Sequence, residues 1–198
     1  ILLAISFIMI FVATPLWVPF VVIGLIGVAG AGGLLLTQGY RMERITVWLD
    51  PAASEKGHQT IQGLYAIGSG GLFGKGLGQS MQKLGFLPEA NNDMIFSVIC
   101  EELGLFGALC VLALFFALIW RFMVIAVNAP DLYGSMIVVG VIAHIGIQVF
   151  INIAVATNTI PNTGIPLPFI SYGGSSLVFM LLEMGLVLSV SRYINVKK

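Results

Sequence analysis

The sequence predicts an all-α fold, a polytopic transmembrane helix bundle with one long polar loop. Three observations carry that expectation. Of 198 residues, 58% are hydrophobic and only 9% charged, against roughly 25% charged in soluble domains. Mean hydropathy is +1.02. The charges are segregated: residues 1–40, 103–120 and 132–182 carry none, and most of the rest lie between Arg41 and Glu102. These features exclude a disordered chain and an ordinary soluble enzyme. The same features exclude a nucleic-acid binder, and a formal net charge of +0 gives no long-range steering. Cys100 and Cys110 are too few for a disulfide framework and lack metal-ligand spacing.

A bilayer core about 30 Å thick needs roughly 20 apolar helical residues. Ile1 opens inside an apolar run with no Met and no basic segment before it. Residues 1–13 therefore read as a partial span rather than a signal peptide, and more of the protein is expected to precede them. Thr14 to Pro19 makes a turn whose Pro and Trp suit a membrane interface. Complete spans are expected at 16–36, 103–124, 135–156 and 175–194, with residues 37–100 as the long loop. These runs do not alternate at period two, which excludes barrel strands. Arg121 flanks the end of one span, Arg192, Lys197 and Lys198 follow the last, and the 158–174 loop is uncharged. Basic residues near short loops mark the cytoplasmic side. That puts 158–174 and 37–100 together on the outer face.

Within the long loop, Tyr40 to Arg44 leaves the membrane with alternating charge, and Trp48-Leu49-Asp50-Pro51 reads as a turn. Gln59 to Ile67 is weakly amphipathic. It either lies on the membrane surface or packs on the bundle, and packing is favoured. Gly68 to Gly78 is glycine-dense, but Ser69 and Gly76 break a Walker pattern. What remains is a tight loop needing positive φ, or a cradle in which amides and Lys75 approach a pyrophosphate. Asn91-Asn92-Asp93 precedes a helical run and is expected to cap it. The competing reading makes Asp93 a general base at the membrane–water boundary. Glu101 and Glu102 follow, and must face protein or water.

Inside the spans, His144, Gln148 and Asn152 recur every four residues, a polar stripe expected to hydrogen-bond between helices. Glu183 sits about nine residues into the last span, roughly 14 Å deep at 1.5 Å per residue. It is a functional candidate by default, or is paired with a partner outside this chain. Ser171 to Ser176 opens a helix with small residues and hydroxyls, suited to capping and close packing or to an anion.

The string from Pro161 to Ser176 closely resembles the signature of the shape, elongation, division and sporulation (SEDS) family, which includes FtsW, RodA and SpoVE. Three further blocks are similar and in the same order. They are Gly68 to Gln79; Leu87-Pro88-Glu89-Ala90 with Asp93, Ile95, Phe96 and Glu101 to Gly104; and Gln148 with Asn152-Ile153. The resemblance implies that residues 1–198 are the C-terminal part of a single ten-span domain. That domain would lie in the bacterial cytoplasmic (inner) membrane with its catalytic loop on the outer face.

The implied reaction is inverting glycosyl transfer between lipid II molecules, which polymerises peptidoglycan during division or elongation. Asp93 falls on the family's essential loop aspartate and is the implied catalytic base. Lys75, Lys83, Arg41 and Arg44 are candidates for the pyrophosphate, with Glu89 and Ser175 as further substrate-binding candidates. No ligand cluster argues for a tightly held metal, although a divalent cation is compatible with the chemistry. Implied partners are the membrane, lipid II, a class B penicillin-binding protein and divisome or elongasome proteins. Gln82-Lys83-Leu84 ahead of the Leu87 block looks more like the division branch. The chain departs from the pattern at Asn91-Asn92, where the family usually carries His-Thr or His-Ser, and at Met94 in place of Phe. No imidazole therefore stands beside Asp93 in sequence. Glu183 lies outside the pattern. Two other functions stay open: a lipid II flippase, which would depend on the 144–152 stripe and Glu183, and a scaffold that recruits the cross-linking enzyme.

Overall fold

A computed structural model describes residues 1–14, 18, 21–25, 27, 30, 39–54 and 57–194, with the side chains of 39–41 and 43 outside the description. The helices are α1 (Leu2–Ala13), α2 (Gly39–Leu49), α3 (His58–Gly70), α4 (Ile95–Val127), α5 (Leu132–Ala156) and α6 (Gly174–Arg192). Among the described residues there is no strand. Three helices, α4, α5 and α6, are long and apolar enough to cross a membrane, and they correspond to the expected spans 103–124, 135–156 and 175–194. The apolar α1 matches the expected partial span. The expected span 16–36 and the turn at Thr14 to Pro19 fall largely outside the described residues.

The core sits where α5 packs against α1, α4 and α6. Phe115 and Phe122 of α4, Val138 and Ile145 of α5, and Met180 and Val187 of α6 share one buried cluster. The polar stripe on α5 faces this interior. His144 Nδ1 lies 2.7 Å from Glu183 Oε1, and Gln148 Nε2 lies 2.9 Å from His144 Nε2. One consistent proton set has Gln148 donating to Nε2 and the Nδ1–H donating to Glu183. The expected interhelical bonding is thus present, and Glu183 finds its partner within this chain.

The long loop is folded. Residues 39–49, expected to leave the membrane through Tyr40 to Arg44 and to turn at Trp48, form α2, with Ile45, Val47 and Trp48 partly buried. Asp50 caps the following 3-10 turn, its Oδ1 accepting from the Ala53 N–H at 3.2 Å with Pro51 in the first turn. Helix α3 packs on α4, as the favoured reading of Gln59 to Ile67 expects. Their approach is so close that a Cβ on Gly70 would meet the Cys100 carbonyl oxygen at 1.9 Å.

Helix α4 is broken at Gly104, which has φ 68°. The Gly-rich segment threads this break. The Leu105 and Phe106 N–H groups donate to the Gly71 and Leu72 carbonyls, while Lys75 and Gly76 donate to the Glu101 and Glu102 carbonyls. The groups that a helix end leaves unpaired are thereby satisfied on both sides. Gly71, Gly74, Gly76 and Gly78 all have positive φ, as the tight-loop reading requires. This geometry brings α2, α3, residues 85–94 and residues 158–173 to one end of the bundle.

Candidate active site

Asp93 lies in the turn before α4 and is 7% exposed. The expected capping role is not what it performs: Met94 is the N-cap of α4, and no side chain caps it. The reason is local. The Asn92 and Met94 N–H groups both turn back to the Glu89 carbonyl, and the Asn92 amide is spent on the Glu89 carboxylate. The Asp93 carboxylate receives a long bond from Gln59 Nε2 at 3.5 Å. Among the described residues no basic side chain pairs with it. Burial pushes its pKa above the ordinary carboxylate range; its backbone hydrogen bond opposes that shift, and the nearby Glu89 charge adds to it.

The backbone beneath Asp93 is held by three successive carbonyls. Asn91 O accepts from the Tyr172 N–H at 2.8 Å, Asn92 O from Ser171 Oγ at 2.6 Å, and Asp93 O from Asn152 Nδ2 at 2.7 Å. Asn152 is fully buried and also donates to the Ile165 carbonyl at 2.9 Å. The middle of α5 and the 161–172 segment therefore fix the position of residues 91–93 from below. Each bond of this kind contributes about 1 kcal/mol, and leaving a buried carbonyl unpaired costs about 1–3 kcal/mol.

Above this floor lies a cavity of about 310 Å³ walled by Arg44, Trp48, Gln59, Glu89, Asp93 and Asn162, among others. Its walls interlock. Trp48 Nε1 donates to Asn158 O at 2.9 Å, and Arg44 Nη1 donates to Asn162 O at 2.9 Å. Asn162 Nδ2 donates to Gln59 Oε1 at 3.2 Å, which turns the Gln59 amide N–H group toward Asp93. A more open groove of about 520 Å³ shares Glu89, Asp93 and Gly164 and extends to Tyr172 and Gly173. Asp93 thus stands on the divide between two concavities. Glu89 and Asn158 adopt left-handed φ of 54°, and such strained residues cluster at functional sites.

The site candidates from the sequence divide into two groups. Arg44, Glu89 and Asp93 line one cavity. Arg41 lies one turn earlier on α2, with its side chain outside the description. Lys75 and Lys83 are elsewhere and engaged. Lys75 Nζ is 2.6 Å from Glu101 Oε1, and Lys83 Nζ is 2.5 Å from Glu102 Oε1. The Gly78 and Ser80 amides donate to Glu102, so the proposed pyrophosphate cradle is already filled by the protein's own carboxylates. Ser175 sits exposed in the first turn of α6 and lines neither cavity that Asp93 lines. The expected side-chain cap at the start of α6 is absent, and Gly173 is the N-cap. Among the described residues no three His, Cys, Asp or Glu converge on a metal site. Glu89 and Asp93 are the two carboxylates of the cavity. Sequence reasoning missed Gln59, Trp48 and Asn158. Gln59 stands among other polar residues, His58, Thr60 and Gln62, so nothing local singled it out.

The fold and site define a class: a membrane protein, all-helical over its described residues, with a buried carboxylate that no described basic side chain pairs, in a groove at one end of its bundle. The family described as "Cell cycle protein", that of FtsW, RodA and SpoVE, matches residues 1–196, and the chain belongs to that family. It is 55% identical over 190 residues to stage V sporulation protein E of Bacillus subtilis (strain 168), covering 94% of this chain and 51% of that protein. It is 46% identical over 182 residues to a probable peptidoglycan glycosyltransferase FtsW of Coxiella burnetii, covering 89% of this chain and 48% of that protein. Among solved structures, a chain of a peptidoglycan synthase complex that coordinates polymerization and crosslinking superposes with a TM-score of 0.75 at 29% identity. That match covers 98% of this chain and 55% of the other. The rod shape determining protein RodA of Thermus thermophilus superposes at 0.60 with 31% identity, covering 98% and 48%. The chain spans about half the length of the curated relatives it matches.

Proposed function

We propose that the protein containing this chain polymerises lipid II into glycan strands, with Asp93 as general base. The observation that carries this reading is the Asp93 carboxylate: buried, without a basic partner among the described residues, raised in pKa, and set between two concavities. A base matched to its task is tuned upward by burial in this way. In the reaction, Asp93 takes the proton from the 4-hydroxyl of the acceptor GlcNAc. That oxygen attacks the anomeric carbon of the donor MurNAc. The bond from that carbon to the pyrophosphate oxygen breaks, undecaprenyl pyrophosphate leaves with the electron pair, and the α linkage becomes β.

The leaving group needs positive charge. Arg44 at the cavity wall, with Arg41 one turn away, supplies it in this reading. Lys75 and Lys83 hold the protein together instead. Glu89 shapes the same wall, and Ser175 has no contact that supports a role. The lipid-linked substrate enters from the bilayer on the outer face, consistent with the basic residues at the opposite end. A class B penicillin-binding protein cross-links the product, which the likeness to a chain of a peptidoglycan synthase complex supports. Similarity to both a sporulation protein and division proteins supports a role in septum or spore envelope synthesis.

The flippase reading draws on His144, Gln148 and Glu183, but these groups hydrogen-bond to one another across α5 and α6. The test is Asp93→Asn in the full-length protein, co-expressed with its cross-linking partner and assayed for lipid II polymerisation in detergent. Loss of polymer with partner binding intact is expected. Polymerisation at the unmutated rate would sink the assignment of the base.

A further inference from the structure

Residues 71–86 are built inside out. In a water-facing loop, polar groups point outward and apolar ones inward. Here Leu72, Phe73, Leu77, Met81, Leu84 and Phe86 are between 55% and 79% exposed. The polar groups are inside. Glu101 is fully buried and Ser80 is 1% exposed, and together with Glu102 they form the hub around which the segment wraps. Glu101 accepts from Lys75 Nζ, Ser80 Oγ at 2.5 Å and the Gln82 N–H at 3.3 Å. Glu102 accepts from Lys83 Nζ and the Gly78 N–H at 2.9 Å.

The backbone N–H groups are nearly all satisfied too. Of the eleven N–H groups from Gly74 to Leu84, ten donate within the chain: five to backbone carbonyls and five to Glu101, Glu102 or Ser80 side chains. Largely irregular backbone whose N–H groups are nearly all donated within the chain depends little on water as an acceptor. Two lysines paired with two glutamates leave no net charge in the knot. The polar side chains that remain at its surface, Lys75 and Gln79, are long enough to reach a headgroup layer.

The position of the segment identifies what it meets. Gly71 and Leu72 are hydrogen-bonded to Leu105 and Phe106, the first residues of the membrane-length part of α4. The Phe73 ring stacks on Phe106 at 5.3 Å between centroids. Phe106 heads a stripe of exposed apolar side chains on α4 that includes Leu109, Phe116 and Trp120. At helical spacing these fall on one face. The apolar coat of residues 71–86 therefore continues that stripe past the helix break.

We propose that residues 71–86 are immersed in the bilayer, in the leaflet at the Asp93 end, as a membrane-embedded knot whose occupant is lipid. The partner is a lipid surface, recognised by apolar contact rather than by charge. The segment thereby sets the depth at which the neighbouring groove meets the membrane.

The experiment uses the full-length protein, with native cysteines replaced, in phosphatidylethanolamine–phosphatidylglycerol nanodiscs. Leu77→Cys carries an environment-sensitive fluorophore. Phe116→Cys on α4 serves as the spanning reference and Ala52→Cys as the aqueous one. Quenching is read from a shallow doxyl-labelled phosphatidylcholine and from iodide. Strong quenching by doxyl lipid is expected at position 77, comparable to position 116, with iodide quenching about fivefold weaker than at position 52. Quenching by iodide comparable to position 52 overturns the proposal by placing the segment in water. Shielding from both quenchers also overturns it, because protein then covers the surface. Leu84→Cys gives the same reading if Leu77→Cys fails to give a monodisperse protein.

Discussion

Two carboxylate sites lie a few residues apart in this chain and have opposite characters. Glu101 and Glu102 are saturated: each has a lysine, a hydroxyl or amide donors, and little access to water. Asp93 is almost as buried, yet it receives one long side-chain bond from Gln59 and faces open space on two sides. The difference separates a carboxylate that holds structure from one available for chemistry. Burial alone does not distinguish them. What does is whether the surrounding groups complete its hydrogen bonds and neutralise its charge.

The largest effects should come from exchanging the two. Asp93→Asn is expected to lower polymerisation by about 10²–10⁴-fold, the usual worth of a general base. The folded Asp93 has a pKa above its unfolded value. Between those two values the folded state holds a proton that the unfolded state releases, so stability falls as pH rises through that window. Above that window the ionised Asp93 costs stability, and there Asp93→Asn should leave the melting temperature unchanged or higher. Glu101→Gln should do the reverse. It strands Lys75, and the loss should be about 2 kcal/mol. That is below the 3–5 kcal/mol of a fully buried pair because the Lys75 side chain is 36% exposed. A thermal melt and a polymerisation assay on both variants check the contrast. A Glu101→Gln protein with wild-type melting and no activity would erase it.

Next in size is the floor beneath Asp93. Asn152→Ala orphans the Asp93 and Ile165 carbonyls, at about 1–3 kcal/mol each. Because the displaced atom is the Asp93 backbone, kcat should fall more than KM rises. A variant that changes only thermal stability would reduce Asn152 to a structural tie. Smaller again is Arg44→Gln. Removing a charge-assisted contact of about 1.5 kcal/mol to the departing pyrophosphate should lower kcat about tenfold with KM less affected.

How much of this was legible in the sequence follows from the range of the interactions. The three spanning helices were legible because membrane thickness acts on contiguous residues. The α3 packing and the positive-φ glycine turns followed from local pattern as well. Asp93 was readable through its family block, although local chemistry pointed to a helix cap that Met94 occupies instead. The status of Lys75 and Lys83 was not legible. Their partners lie 26 and 19 residues away and meet them only because α4 breaks at Gly104. A free lysine beside glycines looks like a phosphate cradle until its glutamate is found. Helix α2 was hidden for the opposite reason: alternating Arg and Glu look solvated, and its partly buried apolar residues, Ile45, Val47 and Trp48, are few and make no clear stripe.

The smallest effect is also the most direct probe of what tunes Asp93. Burial dominates its raised pKa, and the Glu89 charge adds to it. Glu89→Gln removes that charge and keeps an acceptor for Asn92, so the left-handed turn at residue 89 should survive. The acid limb of the kcat profile reports protonation of the base in the substrate complex. Since Asp93 works ionised, activity falls as pH drops through its raised pKa. Without the neighbouring negative charge, that limb should move to lower pH while the plateau rate above the limb stays near the starting level. A limb that stays in place would mean burial alone sets the pKa, and a limb moving upward would contradict the like-charge account. The same substitution leaves the Glu101–Lys75 pair untouched, so thermal stability measured far above the limb should not change. That independence distinguishes a tuned carboxylate from a tied one.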